Sequence, residues 1–567
     1  MIYNIKKYLK IIGTKRFILG YFYNLFCNFF KINDCFVFLE SHNGKDFYGN
    51  PYYIAEHLLT NPLYNKLHLI IVAPSHRRKW INKQFKSTRI TIIKPRSLRY
   101  CFYLAISKWL ITDVTFPLYF SRRDHQEYLN TWHGTPLKVL GRYVPKGTLN
   151  QLQNSQRNFL QATCILAPNL HTEKVLLDSY ILKGICEDKI LRAGYPRNDV
   201  IYRSKNRGNS SHKKEIAFMP TWRGEILNRK FESRNQINNI KILLDQLDQS
   251  LPTSIQLSVK LHPLIEGDIN LDNYSQIKPF PSDVETYRHL AQCDLLITDY
   301  SSVFFDFAAS RRPIIRYIHD KEEYELERGF SLDPDTIPFP CAKNPKDLLQ
   351  IIQTVLNHAT NTLDLNYDHF IQKFNNFDLG NSTEEICKQF FLLEKNNFHQ
   401  SDAVKKDKQN VALFLSNDFI MSPPSSYLEI FRKLDKGKYS FTFLIDANLV
   451  TDEWEIFLRE MDSDFGYISV YFHPYISPLE LLKISLPKTL HKKRVWCKIV
   501  KREYKRIFGQ LSFDQLILCG HDNHWFKILE HSGHWKKCYH LNSESIVNGN
   551  SELKDFSKHD SVSMKLC

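Results

Sequence analysis

From Cys35 onward, short unbroken apolar runs alternate along the chain with amphipathic stretches of helix length. CFVFLES (35–41), LHLIIVAP (67–74), ITIIKP (90–95) and KWLITD (108–113) read as strands, each stopping at polar or turn residues. PYYIAEHLL (51–59) and SLRYCFYLAI (97–106) read as the helices between them. A strand that is apolar at every position has both faces covered, so strands of this kind separated by helices predict a parallel sheet between helical layers. The rhythm continues through ATCILAP (162–168) and KILRAGYPRND (189–199), then pauses at a polar, basic stretch (203–214). It restarts with EIAFMPTWRG (215–224), IQLSVKLHP (255–263) and CDLLITDYSS (293–302), and ends near RRPIIRY (311–317). The expectation is two doubly wound α/β units in tandem, over 34–202 and 203–395.

A polar linker (396–410) precedes a third region, 411–567, where YSFTFLIDAN (439–448), GYISVYFHP (466–474) and FDQLILCGHDN (513–523) carry the same rhythm. Its opening, 411–434, repeats the strand–loop–proline–helix order of 36–59. It reads as another α/β unit, a divergent copy of the first without its histidine motif. It could bind an acceptor or a partner enzyme, or be a second transferase.

In doubly wound sheets, ligands bind beyond the carboxyl ends of the strands, and the polar motifs gather there. His133 stands between a tryptophan and a Gly-Thr-Pro turn, with Gly134, Thr135 and Lys138 beside it. It reads either as a packed loop residue or as a base at the mouth of a cleft, a role that suits an imidazole titrating near neutrality. Asp299 ends an apolar strand, and Ser301 and Ser302 are expected to cap a helix starting at Val303. Free backbone N–H groups and two hydroxyls at that cap suit a phosphate. Lys260 and His262 fall on one side of a strand ended by Pro263, which fits a diphosphate site or an ordinary sheet rim. Arg223, after Thr221, and Arg197, before Asn198, could clamp phosphate oxygens or sit solvated in loops. There is no glycine-rich Walker loop, and no DxD-like acidic pair ends a strand in the first two units. The simpler expectation is a scheme without metal or cofactor.

Composition narrows the partners. At 567 residues the chain is too long for one core. Its 76 Lys+Arg against 60 Asp+Glu give +16, a balance that suits a polyanionic partner. No recognised nucleic-acid motif accompanies that charge. The 12 cysteines include no CxxC pair, the usage of a reducing compartment. A patch of Cys519, His521, His524, His531, His534 and Cys538 lacks the paired cysteines of a strong zinc signal, so no metal is expected there. Residues 1–33 hold six Lys/Arg and no acid, and the uncharged core Phe17–Phe30 falls short of the roughly 20 residues of a membrane span. Basic flanks around aromatic-rich residues fit a helix on an anionic membrane surface, with a core helix of the first unit as the alternative.

NTWHGTPLK (130–138), GYPRND (194–199), MPTWR (219–223), KLHP (260–263) and ITDYSSVFFDFA (297–308), in this order, resemble the CDP-glycerol glycerophosphotransferase family. Members polymerise teichoic acids, and related enzymes build phosphate-containing capsules. The resemblance spans about 35–395. It implies a GT-B-like fold of two Rossmann-type halves around a cleft, an acceptor side (34–202) and a CDP-donor side (203–395). It also implies transfer of a polyol phosphate from a CDP-polyol to a hydroxyl of an anionic, lipid-linked or oligosaccharide acceptor, with release of CMP. The family's essential histidines correspond to His133 and His262. His133 is then the expected base, and Lys260, Thr221, Arg223, Asp299, Ser301 and Ser302 the expected donor phosphate site. CDP-ribitol as donor, or an inverting nucleotide-sugar transferase, remains open. A peripheral place on the cytoplasmic face of the cell membrane follows as an expectation.

Overall fold

The protein was analysed as a computed structural model that describes residues 13–145, 149–206, 213–221, 232–261, 268–357, 365–392, 408–416, 420, 424, 437–446, 450–460, 465–470, 475–485, 490–519 and 524–541. Three parallel sheets carry the chain. The first contains β1 (Asn33–Glu40), β2 (His68–Val72), β3 (Ile90–Ile93), β4 (Ser107–Thr112), β5 (Glu127–Asn130), β6 (Cys164–Ala167) and β7 (Ile190–Arg192), in the order β3-β2-β1-β4-β5-β6-β7. The second contains β8 (Lys214–Met219), β9 (Ile255–Val259), β10 (Ile277–Pro279), β11 (Leu295–Thr298), β12 (Ile314–Tyr317) and β13 (Cys341–Ala342), in the order β10-β9-β8-β11-β12-β13. The third contains β14 (Gln409–Leu415), β15 (Tyr439–Ile445), β16 (Phe465–Ser469), β17 (Phe513–Cys519) and β18 (Trp535–Leu541), in the order β16-β15-β14-β17-β18.

Each sheet reverses its strand order beside its first strand, the crevice where doubly wound sheets bind ligands. The unbroken apolar runs explain the arrangement. Val37, Phe38 and Leu39 point alternately to opposite faces of β1 and all are fully buried, so both faces must be covered by helices.

One helix packs across the expected division between the units. The helix Ser382–Leu392, assigned by sequence to the second unit, packs on the first. Phe390 and Phe391 lie 5.4 and 5.0 Å from Trp109, and the backbone N–H groups of Ser382 and Thr383 donate to Asp199 at 2.9 and 2.8 Å. Amphipathicity says that a helix has a face to bury but not which lobe buries it.

The N-terminal segment also departs from a purely membrane-facing reading. The helix Lys15–Phe29 starts at Thr14, whose hydroxyl accepts from Phe17 N. It buries Phe17, Leu19 and Tyr23 against protein, worth roughly 1.5–3 kcal/mol for each large apolar side chain. Tyr23 donates to the Ser121 carbonyl at 2.7 Å, and Phe17 stacks 5.4 Å from Tyr475 of the third unit. Ile18, Phe29 and Phe30 face outward. Among the described residues no helix is long and apolar enough to cross a membrane.

The third unit is no loose appendage. One continuous apolar core joins it to the back of the first sheet. The helix Leu149–Gln161 lies in that seam: Gln153 and Gln156 donate to Ser469 Oγ and the Tyr467 carbonyl at 2.7 and 2.8 Å, and Arg157 to the Arg506 carbonyl at 3.2 Å. In the His/Cys patch, Cys519 is buried and His534 stacks 4.2 Å from Tyr504, while His521 and the side chain of His524 lie outside the described residues.

Candidate active site

β5 ends at Asn130, and the chain turns sharply before His133. Trp132 adopts a left-handed backbone (φ 52°), a strained state for a bulky residue, and the surroundings hold it there. Its N–H donates to Asn130 Oδ1 at 3.0 Å, and its carbonyl accepts from Asn50 Nδ2 at 3.2 Å. The turn leaves the Trp132 and His133 rings 4.3 Å apart and places His133 on the cavity wall.

His133 Nδ1 lies 3.0 Å from the main-chain carbonyl of Asp113, at the end of β4. A carbonyl only accepts, so Nδ1 carries the proton and Nε2 of the neutral ring is left as the acceptor. Protein packed around the ring pushes its pKa down to about 4, with the Arg197 charge adding and the Asp113 carbonyl opposing. The outer edge of the residue is still open to solvent, which limits that depression. The carboxyl of Asp113 is buried and raised to about 7; it accepts from His42 N at 2.8 Å and sits 3.5 Å from His42 Nε2.

A cavity of about 530 Å³ separates the lobes, a size ordinary for a small-molecule site. The first lobe lines it with Tyr48, Trp132, His133, Gly134, Thr135 and Lys138, and the second with Thr221, Lys260, Tyr300, Ser301 and Ser302. Eight of the sequence-predicted residues therefore meet in one cleft. The lobes approach closely at Gly134, where a side-chain methyl would come within 2.6 Å of Ser302 Oγ. Gly134→Ala is expected to displace that hydroxyl and raise the KM for donor while the fold is retained, as steady-state kinetics and circular dichroism would show. Beside the cleft, Val139 N and Ser331 N pair with the Gly329 and Leu137 carbonyls at 3.4 and 2.8 Å, tying one lobe to the other.

Several side chains are placed differently from expectation. Asp299 does not face the cavity; its carboxylate accepts from Thr221 N at 2.9 Å and Thr221 Oγ1 at 2.6 Å, and so holds the Pro220-Thr221 turn. Ser302 makes no capping bond, and only Ser301 Oγ reaches Val303 N, at 3.5 Å. The helix Val303–Ala308 has six residues, too short for a large dipole, so the hydroxyls are the feature offered to a ligand.

Arg197 is neither a phosphate clamp nor a solvated loop residue. It is buried, donates to Asp306 Oδ1 and Oδ2 at 3.1 and 2.8 Å, and reaches the His133 carbonyl at 3.1 Å. Burial alone would lower its pKa; the Asp306 carboxylate and the rings of Tyr287 and Tyr195 hold it above its ordinary value. Asn198 is also buried away from the cleft and donates to Asp378 at 3.0 Å. His262 and Arg223 lie outside the described residues.

Asp113 and Tyr48 were missed by sequence reasoning. The strand KWLITD ends on Asp113, so the rule that placed the other motifs at strand ends would have found it. Tyr48 sits in the loop after β1 and had no such signal.

Comparison with known proteins bears on the family and the fold. Residues 21–392 match the family model CDP-Glycerol:Poly(glycerophosphate) glycerophosphotransferase. The teichoic acid poly(glycerol phosphate) polymerase of Bacillus spizizenii is 30% identical over 381 residues, 63% of this chain and 92% of that protein. The polymerase of the same description from Bacillus subtilis is 28% identical over 386 residues, and the match spans 49% of its length. The solved structure of the wall teichoic acid polymerase TagF superposes with a TM-score of 0.53 at 22% identity, over 69% of this chain and 97% of that one, which shows a shared GT-B-like fold. The family match stops before the third sheet. With two Rossmann-type lobes, a histidine facing serine hydroxyls across their cleft, and a match over most of its length, the chain belongs to the CDP-glycerol:poly(glycerophosphate) glycerophosphotransferase family and is a transferase.

Proposed function

We propose that the cleft transfers glycerol phosphate from CDP-glycerol to a terminal hydroxyl of a growing teichoic-acid-type polymer and releases CMP. The observation that carries this reading is that His133 shares one cavity with Ser301, Ser302 and Lys260. The acceptor oxygen attacks the phosphorus that bears the glycerol. Its proton passes to His133 Nε2, the bond from that phosphorus to the bridging oxygen breaks, and CMP leaves with the electron pair. Phosphoryl transfer asks mainly for positioning and charge stabilisation. Lys260 and the Ser301 and Ser302 hydroxyls supply these to the diphosphate, while Thr221, whose hydroxyl donates to Asp299, shapes the turn beside them. His262 and Arg223 keep the donor-side roles that the family motif implies.

The outward residues Ile18, Phe29 and Phe30, following the basic start of the chain, support a peripheral position on an anionic membrane where a lipid-linked acceptor is presented. The test is product analysis after parallel incubation with CDP-glycerol, CDP-ribitol and nucleotide sugars. Glycerol-phosphate units and CMP appearing only with CDP-glycerol support the reading. Transfer only from CDP-ribitol or from a sugar nucleotide replaces it.

The pH dependence follows from the depressed histidine. Protonation removes the base, so kcat/KM falls as pH falls. It is expected to stay level through the ordinary histidine midpoint of about 6.5 and to drop only below it, because the imidazole is held below its ordinary value. An acid limb centred above the ordinary midpoint in a pH–rate profile would remove His133 from the role of base.

A further inference from the structure

Away from the reacting cleft, three side chains of different chemistry converge at the lower end of the second sheet. Glu215 lies at the start of β8, His289 on the short helix Thr286–Leu290, and Cys293 just before β11. One ligand atom from each lies within 4.8 Å of the others. His289 Nε2 is already 3.6 Å from Glu215 Oε1. Around a tetrahedral zinc, with bonds of about 2.0–2.3 Å, such atoms sit roughly 3.3–3.8 Å apart, so small side-chain rotations complete the set.

The second observation concerns the histidine. Its side chain is 9% exposed, yet Nε2 has no hydrogen-bond partner among the described residues. A buried imidazole nitrogen without a partner carries a desolvation cost that a metal bond removes. Cys293 is fully buried, whereas the Glu215 side chain is 20% exposed and offers an entry path. Ser258 Oγ hydrogen-bonds Glu215 Oε1 and orients the carboxylate, the kind of outer contact that metal ligands have.

We propose that Glu215, His289 and Cys293 bind a zinc ion as a structural staple. One nitrogen, one thiolate and one carboxylate form a borderline-soft set that suits Zn²⁺ over Mg²⁺ or Ca²⁺, with water as the fourth ligand. The staple would join β8 to the segment that braces the cleft. Glu285, just before His289, accepts from Tyr53 at 2.6 Å and from Gly49 N at 3.2 Å of the first lobe, and Tyr287 donates to Asp306 at 3.2 Å. No step of the transfer passes through the metal. The motif is absent from local sequence because Glu215 comes from a separate strand.

The test is metal analysis of the full-length protein, purified under reducing conditions and reconstituted with zinc. Mass spectrometry is expected to find about one bound equivalent in the wild type and its loss in both His289→Ala and Cys293→Ser. Cobalt substitution is expected to give a thiolate-to-metal charge-transfer band that Cys293→Ser abolishes and Cys538→Ser retains. Glu215→Gln, nearly the same shape, guards against a folding artefact: it should weaken zinc retention against a chelator with the circular dichroism spectrum unchanged. Wild-type protein that takes up no zinc overturns the proposal. Bound metal that survives both His289→Ala and Cys293→Ser, or cobalt without a band from Cys293, overturns it equally.

Discussion

Replacing His133 by alanine is expected to cut kcat for CMP release by about 10²–10⁴-fold, the range for losing a positioned general base. The side chain lies at the open edge of the cleft, and its bond to the Asp113 carbonyl is worth about 1 kcal/mol to stability. The variant should therefore fold, with a thermal midpoint lowered by only a few degrees. Donor affinity should change little, because the diphosphate contacts come from the opposite lobe. Steady-state CMP release, equilibrium binding of CDP-glycerol and thermal unfolding together separate these effects. A variant that keeps wild-type turnover would show that the acceptor proton goes elsewhere. One that loses activity along with its fold would be replaced by His133→Gln, which keeps polarity and bulk without a base of comparable strength.

The second large effect is expected at Arg197. Arg197→Met leaves Asp306 buried without its cation, and breaking a buried pair from one side costs about 3–5 kcal/mol. Urea unfolding should show that loss directly. The double variant Arg197→Met/Asp306→Leu should recover much of it, because removing both charges leaves neither one stranded. Activity should not recover in parallel. Arg197 also donates to the His133 carbonyl, and methionine cannot hold that turn. Full recovery of turnover in the double variant would confine Arg197 to stability alone.

Arg197 also marks where sequence reading reached its limit. Its place at the end of a strand was legible, because GYPRND follows an apolar run. Its function was not, because Asp306 belongs to the other lobe and looks in sequence like one polar residue in an apolar helix. Ser302 shows the same limit. A Ser-Ser pair before an apolar helix reads as a cap, yet the hydroxyl stands opposite Gly134 of the first lobe. The proposed zinc ligands are the extreme case, because Glu215 comes from a segment far from the His289/Cys293 pair.

Periodicity in the chain was enough to establish three parallel α/β units and to place His133 in a turn just after a strand. Those properties are local: a continuous apolar strand dictates its own burial, and a turn after it dictates what is displayed. Which lobe received the helix Ser382–Leu392, which face of Lys15–Phe29 was buried, and which polar groups lined the cleft or disappeared into ion pairs were decided only in three dimensions. Each of these depends on contacts between segments far apart in the chain, where the geometry of packing rather than residue type selects the partner.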